Sequence, residues 1–150
     1  MTHDLKIDSK RFLSEIKLQF NFLLNEAFFS GPTLSFSDQG VSVSYTGKNT
    51  AIIFSYNWSN RDSDLGCYVS KIINGKSCEF FDRDLNGNLL YNHLSGYLLM
   101  RGYRAFAIPP SPRMDVLDRM LSLYKKQLLS PQAQLLLEDR EEAFDMPEKI

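Results

Sequence analysis

The chain has 150 residues, with 17 Lys+Arg against 18 Asp+Glu, and so a formal net charge of −1. Hydrophobic residues make up 43% and aromatics 13%, which suits one domain burying roughly 68–70% of the surface its unfolded chain exposes and excludes a wholly disordered chain. Near-neutrality excludes a whole-molecule field that would gather nucleic acid or an anionic membrane, and leaves that role to local patches.

Residues 1–8 are polar and lack the apolar core of a secretory signal. The longest apolar runs, 51–54, 97–100 and 105–108, are four residues each, against about 20 needed to span a bilayer. A cytoplasmic protein without a membrane segment is therefore expected, folded as a single domain over 1–150, with residues 1–7 and 145–150 frayed.

Taken in chain order, Phe12, Leu13, Ile16, Phe20, Leu23, Leu24, Ala27 and Phe28 recur at helical spacing, which predicts a helix over 9–29 stopped by Gly31-Pro32. Period two follows. Leu34 and Phe36, then Val41, Val43 and Tyr45, then Ile52, Phe54, Tyr56 and Trp58 alternate with mostly polar residues. That is the pattern of an antiparallel meander with one face on a core and one in water. Two further strands, about 66–73 and 77–82, are expected to join at Asn74-Gly75. Beyond Leu85 the pattern turns helical. Leu89, Leu90, His93, Leu94, Tyr97 and Leu98 form a stripe ending at Gly102, and 103–108 reads as a short extended piece. Ser111-Pro112 and Ser130-Pro131 each read as a helix start, the first running to about 129 and the second through Ala133, Leu136, Leu137 and Phe144. The expected fold class is α+β: an N-terminal helix packed on a roughly five-stranded antiparallel meander, followed by two to three C-terminal helices.

The hairpin at Asn74-Gly75 pairs Ile73 with Lys76 and Lys71 with Cys78. Extended further, it sets Cys67 opposite Asp82, four positions from the residue facing Cys78. That is about 13 Å at 3.3 Å per residue, beyond disulfide reach, so two reduced thiols are expected at Cys67 and Cys78.

The segment Asp82-Arg83-Asp84-Leu85-Asn86-Gly87-Asn88-Leu89 resembles the calcium loop of EF-hand proteins, with oxygen ligands at Asp82, Asp84 and Asn86 and the turn glycine at Gly87. His93 stands where that family has a bidentate Glu, and the segment before the loop reads as strand. An Asx-type turn is therefore the better reading, and no metal is expected. His3 and His93 are the only histidines, and His93 falls on the apolar stripe of its expected helix. No Gly-rich phosphate loop, nucleophile elbow or zinc-protease motif occurs. No catalytic residue and no cofactor are assigned, and a non-enzymatic protein is expected.

Charge is uneven along the chain. Residues 101–126 carry six bases against two acids, while 138–150 carry six acids against two bases. Arg101, Tyr103 and Arg104 combine cations with a ring and give an alternative nucleic-acid-binding reading, although an intrahelical Asp115–Arg119 pair, core packing of the aromatics and an acidic last helix folded back on this basic segment account for the same stretch. By the hairpin register, Asp62 and Asp64 lie at the same sheet end as Asp82 and Asp84. With Trp58 or Tyr68 as an aromatic anchor, this acidic end suits a basic protein surface.

An opening amphipathic helix with Phe12-Leu13 and Phe28-Phe29 precedes Val41-Ser42-Val43-Ser44-Tyr45, Ile52-Ile53-Phe54-Ser55-Tyr56 and a helical close. This arrangement resembles small bacterial immunity proteins of polymorphic toxin systems. The resemblance implies a cytoplasmic, non-enzymatic, acidic-faced protein that occludes a toxin. Another protein is thus the expected partner. A secretion-chaperone-like dimer is the alternative, a homodimer stays open, and nucleic acid is the lesser expectation.

Overall fold

Apolar side chains at every second position reach a common core only from an extended backbone. The chain meets that condition in four consecutive strands, β1 (Ser30–Phe36), β2 (Gly40–Thr46), β3 (Thr50–Asn57) and β4 (Asp64–Ile73), paired antiparallel in that order. The structure is a computed structural model and describes residues 5–25, 29–38, 40–57, 64–79, 81–103 and 117–145. Register runs from Gly40↔Asn57 to Thr46↔Ala51 and from Thr50↔Lys71 to Asn57↔Asp64. Residues directly opposite share a face, so Val41, Tyr56 and Leu65, then Val43, Phe54 and Cys67, then Tyr45, Ile52 and Val69 form three inner rows, all buried.

The Asn74-Gly75 turn has both residues at positive φ, 53° and 78°, as a tight two-residue hairpin requires. It pairs Ile73 with Lys76, and the Cys78 N–H donates to the Lys71 carbonyl at 2.9 Å. The four-residue offset between the cysteines therefore holds, and both thiols are free. Among the described residues the strand expected over 77–82 does not extend past Ser77. β5 is only Lys76–Ser77, and the chain then leaves the edge of β4.

That vacated edge is taken by β6 (Tyr91–His93), which pairs Tyr68 with His93, Val69 with Asn92 and Ser70 with Tyr91. Helix was expected here. Tyr, Asn and His are all weak helix formers, and the open edge of β4 offers partners for their backbone groups. Helix α3 (Leu94–Leu99) begins directly after His93, with Leu94, Tyr97 and Leu98 buried.

The helices cover the inner face. α1 (Leu5–Phe20) starts ahead of its expected position at residue 9. The chain turns at Asn21, and α2 (Phe22–Asn25) follows. Phe12, Ile16, Phe20 and Leu23 are buried as their spacing requires, but Leu24 is exposed and Phe22 packs against the core in its place. The Phe20 and Phe54 rings lie 4.4 Å apart and those of Phe12 and Tyr56 6.0 Å apart. α4 (Leu117–Leu128) buries Leu117, Met120, Leu121 and Leu128, with the Tyr124 ring 6.5 Å from Phe54. Its proposed start at Ser111-Pro112 lies outside the described residues, as does all but Tyr103 of the extended piece expected at 103–108.

Ser130-Pro131 opens a 3-10 turn (Pro131–Ala133) that runs into α5 (Gln134–Leu137). The single last helix expected here is interrupted at Asp139, which has φ 53°, before a second 3-10 turn (Glu141–Phe144). That turn buries Phe144 against Tyr97, ring centroids 5.6 Å apart, and the Tyr97 hydroxyl donates to the Ala143 carbonyl. The result is an α+β fold: a helical layer over one face of an antiparallel sheet.

Candidate functional site: the outer face of the sheet

The positions between the inner rows form the opposite face of the sheet. One row reads Ser35, Ser42, Ser55 and Gly66; the next reads Thr33, Ser44, Ile53, Tyr68 and His93. A third runs through Thr46, Ala51, Ser70 and Tyr91. Ser42, Ser44, Ile53, Ser55, Tyr68 and Tyr91 are half-buried and His93 is exposed, whereas every helix-to-sheet ring contact described above falls on the inner face.

Three rings make a platform at the β4–β6 side. The Tyr68 ring stacks on Tyr91 at 5.6 Å and meets His93 at 4.7 Å. Glycine leaves room for it: a Cβ on Gly66 would stand 2.9 Å from the Tyr68 ring, which would have to shift. Burial pushes the Tyr91 hydroxyl up to about 12, with Tyr68 and Cys67 adding to the effect. On the other side the surface falls to small hydroxyl residues, and a cleft of about 220 Å³ borders Ser35, Ser42, Ser55 and Asn57. The neighbouring positions Gly40, Asn57 and Asp64 stand in register and end this face.

His93 was expected on the apolar stripe of a helix; it is the last residue of β6 and projects outward, because strand periodicity reverses its side. Among the sequence-derived candidates the face therefore takes in Tyr68 and the register position of Asp64. Trp58 and Asp62, as well as Arg104, lie outside the described residues.

Asp82 and Asp84 are placed elsewhere, which corrects the expected acidic cluster. Cys67 faces no Asp82, because β6 occupies that edge. The Asp82 carbonyl accepts from Leu90, whose own carbonyl accepts from Lys71. Asp64 and Lys71 are seven residues apart on β4, roughly 23 Å at 3.3 Å per residue.

The Asp84 carboxylate accepts from the backbone N–H groups of Asn86 and Asn88, each at 2.9 Å, and from Asn88 Nδ2 at 2.8 Å. The Asn88 side-chain bond, followed by the backbone ones, holds its pKa below the ordinary carboxylate value. The Asp82 carboxylate accepts from the Glu79 N–H at 2.7 Å, and Gly87 turns the chain at φ 82°. These oxygens close an Asx-type turn on their own backbone. Among the described residues no group of three His, Cys, Asp or Glu side chains stands ready to hold a metal ion.

The alternative basic site is also redistributed. The Arg101 guanidinium stacks 3.5 Å from the Tyr97 ring centroid and donates to the carbonyls of Tyr97, Ala143 and Asp145 at 3.0–3.1 Å. Tyr103 is buried in the core. Neither side chain is presented for stacking on a base. The Cys67 thiol is buried and its pKa is pushed up by desolvation, and burial also raises that of Cys78, the reverse of what an activated thiolate needs.

Sequence periodicity marks Ser42, Ser44 and Ser55 as outward. It misses the Tyr68, Tyr91 and His93 platform, which depends on a pairing between residues more than twenty positions apart. No family model, curated protein or solved structure matches this chain.

Proposed function

We propose that the chain is a non-enzymatic protein-binding module that docks a partner protein on the outer face of its sheet. The observation that supports this is the composition of that face: Ser, Thr and Gly beside a Tyr/Tyr/His platform, with no Lys or Arg in its rows. Tyrosines offer large, rigid contact area at small entropic cost, while serines allow close approach and adaptable hydrogen bonds, the same division of labour as in antibody paratopes. An arginine of the partner would gain from cation–π contact over the rings, which favours a basic partner surface. The immunity-type reading adds that the partner is a toxin whose activity is blocked on docking.

The test is capture on immobilised wild-type protein, on Ser55→Arg and Tyr68→Ala, and on Asp84→Ala as a control away from the face. The expected partner is retained by wild type and Asp84→Ala, lost from both face variants, and inhibited when bound. A specific partner held equally well by Ser55→Arg and Tyr68→Ala would remove the proposal.

A further inference from the structure

The outer side of β1 is the open edge of the sheet: β1 pairs with β2 on one side, and among the described residues no strand takes the other. The first half of this edge is blunted. Pro32 lacks an N–H, and the pairing with β2 slips between Ser30 and Thr33, both devices that discourage strand addition. The second half, Thr33-Leu34-Ser35-Phe36-Ser37, carries no charge and no proline.

The backbone direction there is fixed by the β1–β2 turn. Ser37 and Gly40 exchange both hydrogen bonds, at 2.9 and 3.4 Å. In an antiparallel ladder the bonded pairs alternate, so Ser35 and Thr33 also bond inward to β2. The N–H and C=O groups of Leu34 and Phe36 then point out along the free edge. Their side chains sit on the same face as Val43 and Val41, yet Leu34 is 38% and Phe36 61% exposed, beyond the helical cover.

We infer that this edge pairs with the same edge of a second copy, antiparallel about a two-fold axis through Ser35. The segment is symmetric in character about that residue: hydroxyl, apolar, Ser35, apolar, hydroxyl. The two-fold operation lays Leu34 against Phe36 of the second copy, and Phe36 against its Leu34. Each such pair exchanges two backbone hydrogen bonds, four in all, and brings the exposed apolar side chains together on one face. Ser35 meets its own counterpart on the axis as a non-bonded pair, the closer of the two spacings at about 4.5 Å between Cα atoms. No like charges meet, and a net charge of −1 gives little long-range repulsion between copies. A different partner strand would have no reason to share this mirror pattern. The two sheets become continuous, and both outer faces lie on one side. This inference does not depend on the partner proposed for the outer face.

The test uses the purified full chain alone. Sedimentation across a concentration series is expected to show a shift from 17.3 kDa toward twice that mass. The double variant Leu34→Lys/Phe36→Lys sets like charges against each other and should stay monomeric. Leu34→Glu/Phe36→Lys sets opposite charges against each other and should dimerise again. Ser35→Cys, on an otherwise unchanged edge, should oxidise to a covalent dimer where Ser44→Cys on the inner strand β2 does not. A wild-type chain that stays monomeric at every concentration overturns the inference. So does a dimer that survives the two lysines, or one that leaves Ser35→Cys unlinked.

Discussion

Asn49 and Asp139 hold each other from ninety positions apart. The Asn49 N–H donates to Asp139 Oδ1 at 2.9 Å, and Asn49 Nδ2 donates to the Asp139 carbonyl at 2.9 Å. The Lys48 N–H adds a third bond, to Oδ2 at 2.5 Å. The turn between β2 and β3 thus presents its N–H groups to a carboxylate carried by the turn after α5. Gly47 makes the approach possible, since a Cβ there would stand 2.4 Å from the Asp139 carboxylate carbon.

Removing that carboxylate should loosen the hairpin selectively. Hydrogen bonds to charged groups contribute about 1.5–3 kcal/mol, so Asp139→Ala should lower unfolding free energy by roughly that amount in a urea titration. Amide exchange should accelerate at Lys48 and Asn49 and stay slow at Phe54 in the strand centre. Unchanged exchange at Lys48 would mean that the turn is ordered by its own sequence.

Arg101 performs a similar task with opposite charge, gathering the carbonyls of Ala143 and Asp145 while lying on Tyr97. Arg101→Met removes the donors and should cost about 1–3 kcal/mol, with faster proteolytic cleavage within 141–145. Lysine has no planar fork to span two carbonyls, so Arg101→Lys should behave nearly as badly. Wild-type cleavage rates in both variants would show that Phe144 alone retains this segment.

Two phenylalanines separate packing from exposure. Phe54 is fully buried between α1 and α4, and Phe54→Ala should destabilise by about 3–5 kcal/mol. Phe36 is an exposed edge residue, so Phe36→Ala should stay within about 0.5 kcal/mol, measured by urea unfolding at a protein concentration that excludes self-association. A large loss at Phe36 under those conditions would mean that β1 is covered within the monomer.

Alkali should unfold the protein through its buried phenols. Desolvation raises Tyr45 and Tyr97 from 10.0 to about 12, and the Tyr45 hydroxyl is buried without a hydrogen-bond partner. The folded state holds these protons more tightly than the unfolded state. Their contribution is therefore complete below pH 10 and is lost as pH rises toward 12. Phenolate absorbance and far-ultraviolet circular dichroism should change together in that window. Phenolate formation by Tyr45 and Tyr97 near pH 10 with the fold intact would contradict their burial.

Much of the fold was legible because local rules and global packing agree. Alternation named the inner rows from Val41 to Tyr56, Asn74-Gly75 fixed a turn and its first pairs, and helical spacing found Phe12, Ile16 and Phe20. The failures cluster where a long-range partner overrides local preference. Tyr91-Asn92-His93 falls within an expected helix, with His93 on its apolar stripe, but answers to the open edge of β4. Extending the hairpin past Ser77 then carried Asp82 to the wrong end of the sheet. Arg101 reads as part of a basic stretch that an acidic last helix can fold back on, but nothing nearby in sequence reveals that the carbonyls of Ala143 and Asp145 are what return to it. The outer face was half visible: its serines follow from period two, its ring platform from a strand that periodicity alone assigns to helix.

β6 passes into α3 without an intervening loop, so His93 faces outward while Leu94, the very next residue, is locked in the core. The backbone that carries His93 is thereby tied to the packing that holds α3. Ordering a mobile side chain at an interface typically costs about 0.5–1.5 kcal/mol. On the proposed docking, a protein settling on Tyr68, Tyr91 and His93 meets backbone already fixed by the core, so less of that cost falls on binding.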